Sequence, residues 1–165
     1  MSRFAVLALL VVLGACSAPA EEETASLDEL EAAAGPVVGP TRVLPNDIAK
    51  LQVEESPAVG AVVADREHYT LYFTVQDGPS KSTCLEADCT LVWPPLLAAG
   101  GKIEAPALDA QLLGTMKRPD GTEQVTIAGK PVYRYVDDEQ AGDTTGHGVD
   151  DRWFAISPNG TKATK

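Results

Sequence analysis

The sequence lacks most of the patterns that indicate catalysis or metal binding. It has only two histidines, His68 and His147, with no paired-histidine spacing and no haem-attachment motif around them. Nucleophile elbows, phosphate-binding loops and zinc-protease helices are also absent. These absences argue against hydrolytic and transfer reactions, and we expect the protein not to be an enzyme.

Positive charge is scarce as well. The chain carries 13 Lys and Arg against 24 Asp and Glu, a formal net charge of −11. Removal of an N-terminal segment containing Arg3 would leave 12 basic residues and a charge of −12. Nucleic acids and anionic lipid surfaces are bound through clustered Lys and Arg, so nucleic-acid binding is excluded as a function.

The N-terminal apolar run is too short to span a membrane. It extends over residues 4–12, whereas a transmembrane helix needs about 20 apolar residues. A basic residue before the run and small residues after it are typical of a secretory signal, so residues 1–15 are predicted to be removed.

The run ends in "LGAC", which resembles the bacterial lipobox. The resemblance implies that Cys16 is lipidated, for instance with palmitate, and becomes the N-terminus of an exported, membrane-anchored protein. Ser17 after this cysteine resembles the pattern for outer-membrane sorting in a Gram-negative host. The alternative is an ordinary signal peptide with an incidental cysteine.

Composition divides the remaining chain into a tether and a domain. Residues 16–45 are rich in Ala, Glu, Pro and Gly, which predicts a flexible acidic spacer. Residues 46–165 are enough for one modest domain with a single core.

The domain contains two similar halves, at about residues 58–97 and 120–160. Each has a tyrosine, an aspartate five residues later, and a tryptophan 21 or 20 positions after the tyrosine. These residues are Tyr72, Asp77 and Trp93 in the first half, and Tyr133, Asp138 and Trp153 in the second.

Alternating β-rich segments predict the fold class. "VGAVVADREHYTLYFTV" indicates two strands around the turn "DREH", and "EQVTIAGKPVYRYV" indicates two around "AGK", where Gly129 can adopt a positive φ. The turn "RPDG" adds "LLGTMK" as a third strand of a meander. Alternation predicts that Leu71, Phe73 and Val75 share one strand face and that Tyr72 lies on the other. Helix signals are weak. We predict a compact, mostly β domain of two related hairpin or meander halves with pseudo-twofold internal symmetry.

These residues resemble the bacterial secreted-repeat lipoprotein family, predicted lipoproteins with a Y-x-[FWY]-x-x-D motif. Tyr133, Tyr135 and Asp138 match the motif in full. Tyr72 and Asp77 match its ends, but Thr74 stands where an aromatic residue is expected. The resemblance covers about residues 58–160 and implies an architecture and a cellular location more readily than a chemistry.

Cys84 and Cys89 are expected to form a disulfide, because thiols tend to oxidise in exported proteins. With Cys16 assigned to lipid, two cysteines are too few for an iron–sulfur cluster. Four residues separate the pair, and the acidic neighbours Glu86 and Asp88 disfavour a reactive thiolate, which argues against a thioredoxin-like role.

The segment "DDEQAGDTTGHGVDD" concentrates carboxylates and His147 on a glycine-containing loop. Asp143, His147 and Asp150 are weak candidate metal ligands there, and Ca²⁺ would suit flexible oxygen ligands. The spacing does not match the twelve-residue calcium loop, so a solvated acidic loop is the simpler interpretation. His147 with His68 or Met116 could also hold haem or copper. No cofactor is predicted.

Two classes of function remain. The first is a lipid-anchored, non-enzymatic envelope protein that binds another envelope protein or a small ligand. The second is an envelope redox accessory that binds haem or copper, or relays electrons through its Tyr and Trp residues. The paired aromatic residues are most simply explained as core residues, and the alternative is a ligand platform or an electron-hopping path.

Overall fold

The computed structural model describes residues 48–165, so the predicted signal peptide, Cys16 and the tether lie outside the described residues. The predicted mostly β class and small compact domain are confirmed. The strands are β1 (Ala49–Ser56), β2 (Gly60–Asp65), β3 (Tyr72–Thr74), β4 (Ile103–Glu104), β5 (Leu113–Lys117), β6 (Glu123–Ile127), β7 (Lys130–Pro131) and β8 (Trp153–Ala155). One α-helical turn, α1 (Ala87–Thr90), and 3-10 turns at Ala99–Gly101, Ala110–Leu112 and Val149–Asp151 complete the described secondary structure.

The strand β1 was not predicted from the sequence. It pairs antiparallel with β2, from Leu51 opposite Asp65 to Ser56 opposite Gly60, and parallel with the short β4. Its sequence "AKLQVEES" alternates only partly and carries three charged residues, which masks the period-two signal.

Among residues 48–165, none of the helices has the length and apolar composition needed to span a membrane.

The first predicted hairpin is present only as its turn and one bridge, because β2 pairs with β1 and β3 pairs with β8. Ala64 and Thr70 form an antiparallel bridge, and the turn between them is closed by a side chain. Asp65 Oδ1 accepts the backbone N–H groups of Glu67 at 2.8 Å and Tyr69 at 3.2 Å. An aspartate that accepts backbone donors within a turn is the reason that "DREH" reverses the chain.

The predicted three-stranded meander is confirmed, with strand order β5-β6-β7. Its third strand is shorter than predicted, because β7 ends at Pro131 and Tyr133 pairs with Tyr72 and Pro95 instead. The turn between β6 and β7 holds Ala128 at φ 50° and Gly129 at φ 75°. Two successive residues with positive φ give a tight turn that matches the twist of a hairpin. Gly129 adopts its positive φ without steric cost, because it has no Cβ.

The two halves meet through their tyrosines at the centre of the domain. Tyr72 N–H donates to Tyr133 O, and Tyr133 N–H donates to Tyr72 O, both at 2.9 Å. On their other sides, Tyr72 pairs with Ala155 and Tyr133 bridges to Pro95. Each tyrosine segment therefore lies between the other tyrosine and the post-tryptophan segment of the opposite half.

Burial follows the predicted alternation on both sides of these segments. Leu71, Phe73 and Val132 belong to one apolar cluster, together with Val125 and Ile127 of β6. A second cluster holds Tyr72, Cys84, Trp93, Tyr133 and Trp153. Val75, predicted on the face of Leu71 and Phe73, is exposed because it lies beyond the end of β3. The reciprocal contacts relate the two halves, and pseudo-twofold symmetry of the whole domain stays a prediction.

Candidate functional site

The tyrosines and aspartates of the two halves are paired crosswise. Tyr72 donates its hydroxyl to Asp138 Oδ2 at 2.7 Å, and Tyr133 donates its hydroxyl to Asp77 Oδ2 at 2.7 Å. Each bond joins the tyrosine of one half to the aspartate of the other. Since Tyr72 and Tyr133 are both 0% exposed, their hydroxyls need these partners inside the protein.

Two threonines complete the pattern, and sequence reasoning missed them. Asp77 Oδ1 accepts the backbone N–H of Thr83 at 2.7 Å and its hydroxyl at 2.8 Å. Asp138 Oδ1 accepts the same two groups of Thr145, at 3.0 and 2.5 Å. The threonine follows its aspartate by six residues in the first half and by seven in the second. Comparing the sequences of the two halves could therefore have identified both threonines.

The tryptophans of the two halves are stacked on each other. Trp93 and Trp153 have ring centroids 3.9 Å apart and an interplanar angle of 4°. Each also contacts the tyrosine of its own half edge to face, Trp93 with Tyr72 at 5.6 Å and Trp153 with Tyr133 at 5.2 Å. The five predicted aromatic residues are thus brought together, since Tyr135 stacks on Trp93 at 4.2 Å.

The residue at the third position of the motif, Tyr135 in one half and Thr74 in the other, has different neighbours in the two halves. Tyr135 lies against Trp93, whereas Thr74 at the matching position is buried beside Trp153 in the pairing of β3 with β8. The stack therefore has a third aromatic ring on its Trp93 side and a threonine next to Trp153.

Burial raises the pKa of the Asp138 carboxyl and of both motif phenols. Burial raises the pKa of Asp138, although hydrogen bonds from Thr145 and Tyr72 oppose the shift. Burial and the neighbouring Asp138 carboxylate raise the pKa of Tyr72. Burial raises the pKa of Tyr133 as well, assisted by Asp77. Both phenols therefore stay protonated at neutral pH and can donate their hydroxyls to Asp138 and Asp77.

The predicted disulfide is present in the first half. Cys84 and Cys89 are bonded, with Cα atoms 5.4 Å apart, and both contact the aromatic cluster. Two buried side chains hold the loop from inside. Arg118 donates to Cys84 O at 3.0 Å and to Gln124 Oε1 at 2.6 Å. Ser82 lies within 2.6 Å of the Tyr133 hydroxyl and donates to Cys84 O at 3.2 Å.

A glycine occupies the corresponding place in the second half. Gly146 directly follows Thr145, as Cys84 follows Thr83. A Cβ at Gly146 would lie 2.9 Å from the Tyr72 ring and 3.0 Å from Trp93. The backbone therefore packs directly on the aromatic cluster, and no larger residue fits without displacement.

The three weak metal-ligand candidates have different surroundings. Asp143 Oδ2 accepts the Gln140 N–H at 2.9 Å, and Asp150 is exposed with a φ of 54°. The His147 ring lies 5.6 Å from that of Phe154, and burial lowers its pKa. No group of three or more His, Cys, Asp or Glu residues arranged to hold a metal ion occurs within residues 48–165.

Residues 114–157 match the model of a family described as a secreted repeat of unknown function. This match confirms the resemblance predicted from the motifs, and the family's description agrees with export. The matched range contains Tyr133, Asp138 and Trp153, while the first half lies outside it. No curated protein and no solved structure matches the chain.

Proposed function

We propose that this protein is a lipid-anchored, non-enzymatic module of the cell envelope that binds another envelope protein or a small ligand. One observation carries the proposal. The hydroxyls and carboxylates of the repeated motif are occupied by hydrogen bonds between the two halves. The motif thus builds the domain, which leaves its outer surface for partners.

The anchoring part is supported by the sequence "LGAC" and by the secreted-repeat match. When cells are fractionated, we expect the protein in the membrane fraction, and in a Gram-negative host in the outer membrane. Cells grown with labelled palmitate should incorporate the label into the protein. A Cys16→Ser variant should lose the label and the membrane association together. Wild-type protein found mainly in the soluble fraction would contradict anchoring.

The binding part is tested by chemical crosslinking in intact cells, followed by binding measurements between the purified proteins. We expect a reproducible partner whose binding requires the folded domain. The matched control is protein unfolded by reduction and denaturant, which should bind nothing. If neither a protein nor a small ligand binds the folded domain, the binding function is wrong.

A second candidate function is electron relay, favoured by the continuous ring contacts from Tyr133 through Trp153 and Trp93 to Tyr72. A one-electron oxidant would remove an electron from Tyr72, and its phenolic proton would move to Asp138. Haem or copper bound elsewhere on the protein could act as that oxidant. Protein from its native host should then carry such a cofactor, or bind it when added. Absence of both, with no tyrosyl or tryptophanyl radical after photo-oxidation, would reject the relay.

A further inference from the structure

The segment of residues 84–92, here called the disulfide loop, exposes apolar side chains. Leu91 is 64% exposed, and Leu85 and Val92 are each 39% exposed. They are three of the five exposed large hydrophobic residues within residues 48–165. Concentration on one short loop distinguishes them from the scattered apolar residues that are normal on a surface.

The second half shows that the fold does not require apolar residues at this place. Val92 O accepts the N–H of Val136 at 3.0 Å, and Arg152 O accepts the N–H of Val75 at 3.0 Å. Both acceptors directly precede a stacked tryptophan. Charged Asp151 and Arg152 thus fill the positions that Leu91 and Val92 occupy in the first half.

The disulfide loop is also held in one conformation. The Cys84–Cys89 bond closes it, and Arg118 donates to the carbonyl of Cys84 from the buried side. Trp93 N–H donates to Cys89 O at 2.8 Å, which ties the loop to the aromatic cluster. A surface that is already ordered loses little conformational entropy when it binds.

Exposed acidic residues lie around these apolar side chains, whereas Arg118, which bonds to Cys84 O, is buried. Glu86 and Asp88 lie exposed on the disulfide loop itself, and the short helix α1 has no basic residue in its last turn. Asp137 is exposed next to Val136, whose backbone bonds to the loop. Such a surface repels anionic lipid and attracts Lys and Arg.

We infer that the disulfide loop is a docking surface for a protein segment that carries apolar side chains flanked by Lys or Arg. The apolar side chains of Leu85, Leu91 and Val92 would supply the contact area, and Glu86, Asp88 and Asp137 would attract the basic flanks. The inference rests on the proposed binding function and assigns that function a surface and a partner chemistry.

The test places a photo-crosslinking amino acid at Leu91 in the full chain expressed in its native host, and at Val75 in a second strain. Val75 is the matched control because it is 58% exposed and lies three residues after Tyr72, as Val136 lies after Tyr133. We expect a protein crosslink from position 91 and none from position 75. The crosslinked segment, located by mass spectrometry, should contain apolar residues beside Lys or Arg.

Affinity for the purified crosslinked protein is then measured with Leu91→Ser/Val92→Ser and with Val75→Ser. The double variant should lose affinity about tenfold or more, Val75→Ser less than about twofold, and added salt should weaken wild-type binding. Unchanged affinity of the double variant, or crosslinks to lipid, to an acidic segment or to a second copy, would overturn this inference. If all variants bind equally well, the disulfide loop is not the docking surface, but the proposed binding function stands. If the folded domain binds no protein and no ligand at all, the proposed binding function is refuted as well.

Discussion

Tyr72 donates its hydroxyl to Asp138, a residue of the other half, and not to Asp77, which follows it by five positions in its own motif. Tyr133 and Asp77 form the reciprocal bond. The motif that looks local in the sequence is therefore completed only when the two halves come together. This relationship explains why each half contains the motif and how the buried Tyr72, Tyr133 and Asp138 obtain hydrogen-bond partners.

Packing of Gly146 against the aromatic cluster predicts a steric effect. Gly146→Ala should lower the free energy of unfolding by about 1–3 kcal/mol, because the new methyl group would meet the rings of Tyr72 and Trp93. Gly78→Ala is the control, since its Cβ would meet only Lys81 Cβ, at 3.7 Å. Urea denaturation of both variants compares them. Equal stability of the two would contradict the close packing.

The ion pair between Arg134 and Asp65 predicts a large effect from removing one charge. Their side chains are 14% and 2% exposed, so Arg134→Met leaves a buried carboxylate without its cation and should cost about 3–5 kcal/mol. Lys50→Met at the exposed Lys50–Glu104 pair should cost at most about 1 kcal/mol. Chemical denaturation gives both values. A loss below about 1 kcal/mol at Arg134 would show that the pair is not needed.

The disulfide predicts a moderate loss of stability on reduction. Closing a ring of six residues stabilises a folded protein by about 2 kcal/mol according to loop-closure entropy. Reductant should therefore lower the midpoint temperature of thermal unfolding of the wild type. A Cys84→Ala/Cys89→Ala variant serves as the control and should not respond to reductant. A wild type that is equally insensitive would contradict a stabilising role.

The raised pKa of Asp138 predicts an unusual pH dependence. Between the ordinary value of 3.8 and the raised value, the folded state binds more protons than the unfolded state, so stability from this group falls as pH rises. The stability difference between wild type and Asp138→Asn should therefore shrink with rising pH across this interval and then level off. Denaturation at a series of pH values measures it.

Asp120 supplies the control of opposite sign. Hydrogen bonds from Thr122 lower the pKa of Asp120, so its contribution is present above pH 3.8 and is lost as pH falls through the lowered value. The difference between wild type and Asp120→Asn should grow as pH rises. If both differences change in the same direction, the assignment of a raised pKa to Asp138 is wrong.

Local patterns predicted much of the fold. The turn residues Asp65 and Gly129 marked two chain reversals, and alternation separated Tyr72 from Leu71 and Phe73. The disulfide between the near neighbours Cys84 and Cys89 was predicted from the expectation of export. These features depend on neighbours in the chain, which is why a single sequence contains them.

Long-range relationships were not predicted. The buried Arg118 looks like an ordinary residue of the turn "RPDG", but it holds the disulfide loop through Cys84 O, 34 positions away. The bond from Tyr72 to Asp138 spans 66 positions and competes in the sequence with the nearer Asp77. Partner choice at such separations is decided by how the strands assemble, which local pattern does not encode.

The central claim is that the motif locks one half to the other, and double-mutant cycles test it most directly. Tyr72→Phe and Tyr133→Phe are each combined with Asp77→Asn and with Asp138→Asn, and the free energy of unfolding is measured for every variant. The account predicts coupling of about 1 kcal/mol or more for Tyr72 with Asp138 and for Tyr133 with Asp77, and below about 0.5 kcal/mol within either half. Strong coupling of Tyr72 with Asp77 and of Tyr133 with Asp138, with none across the halves, would contradict it.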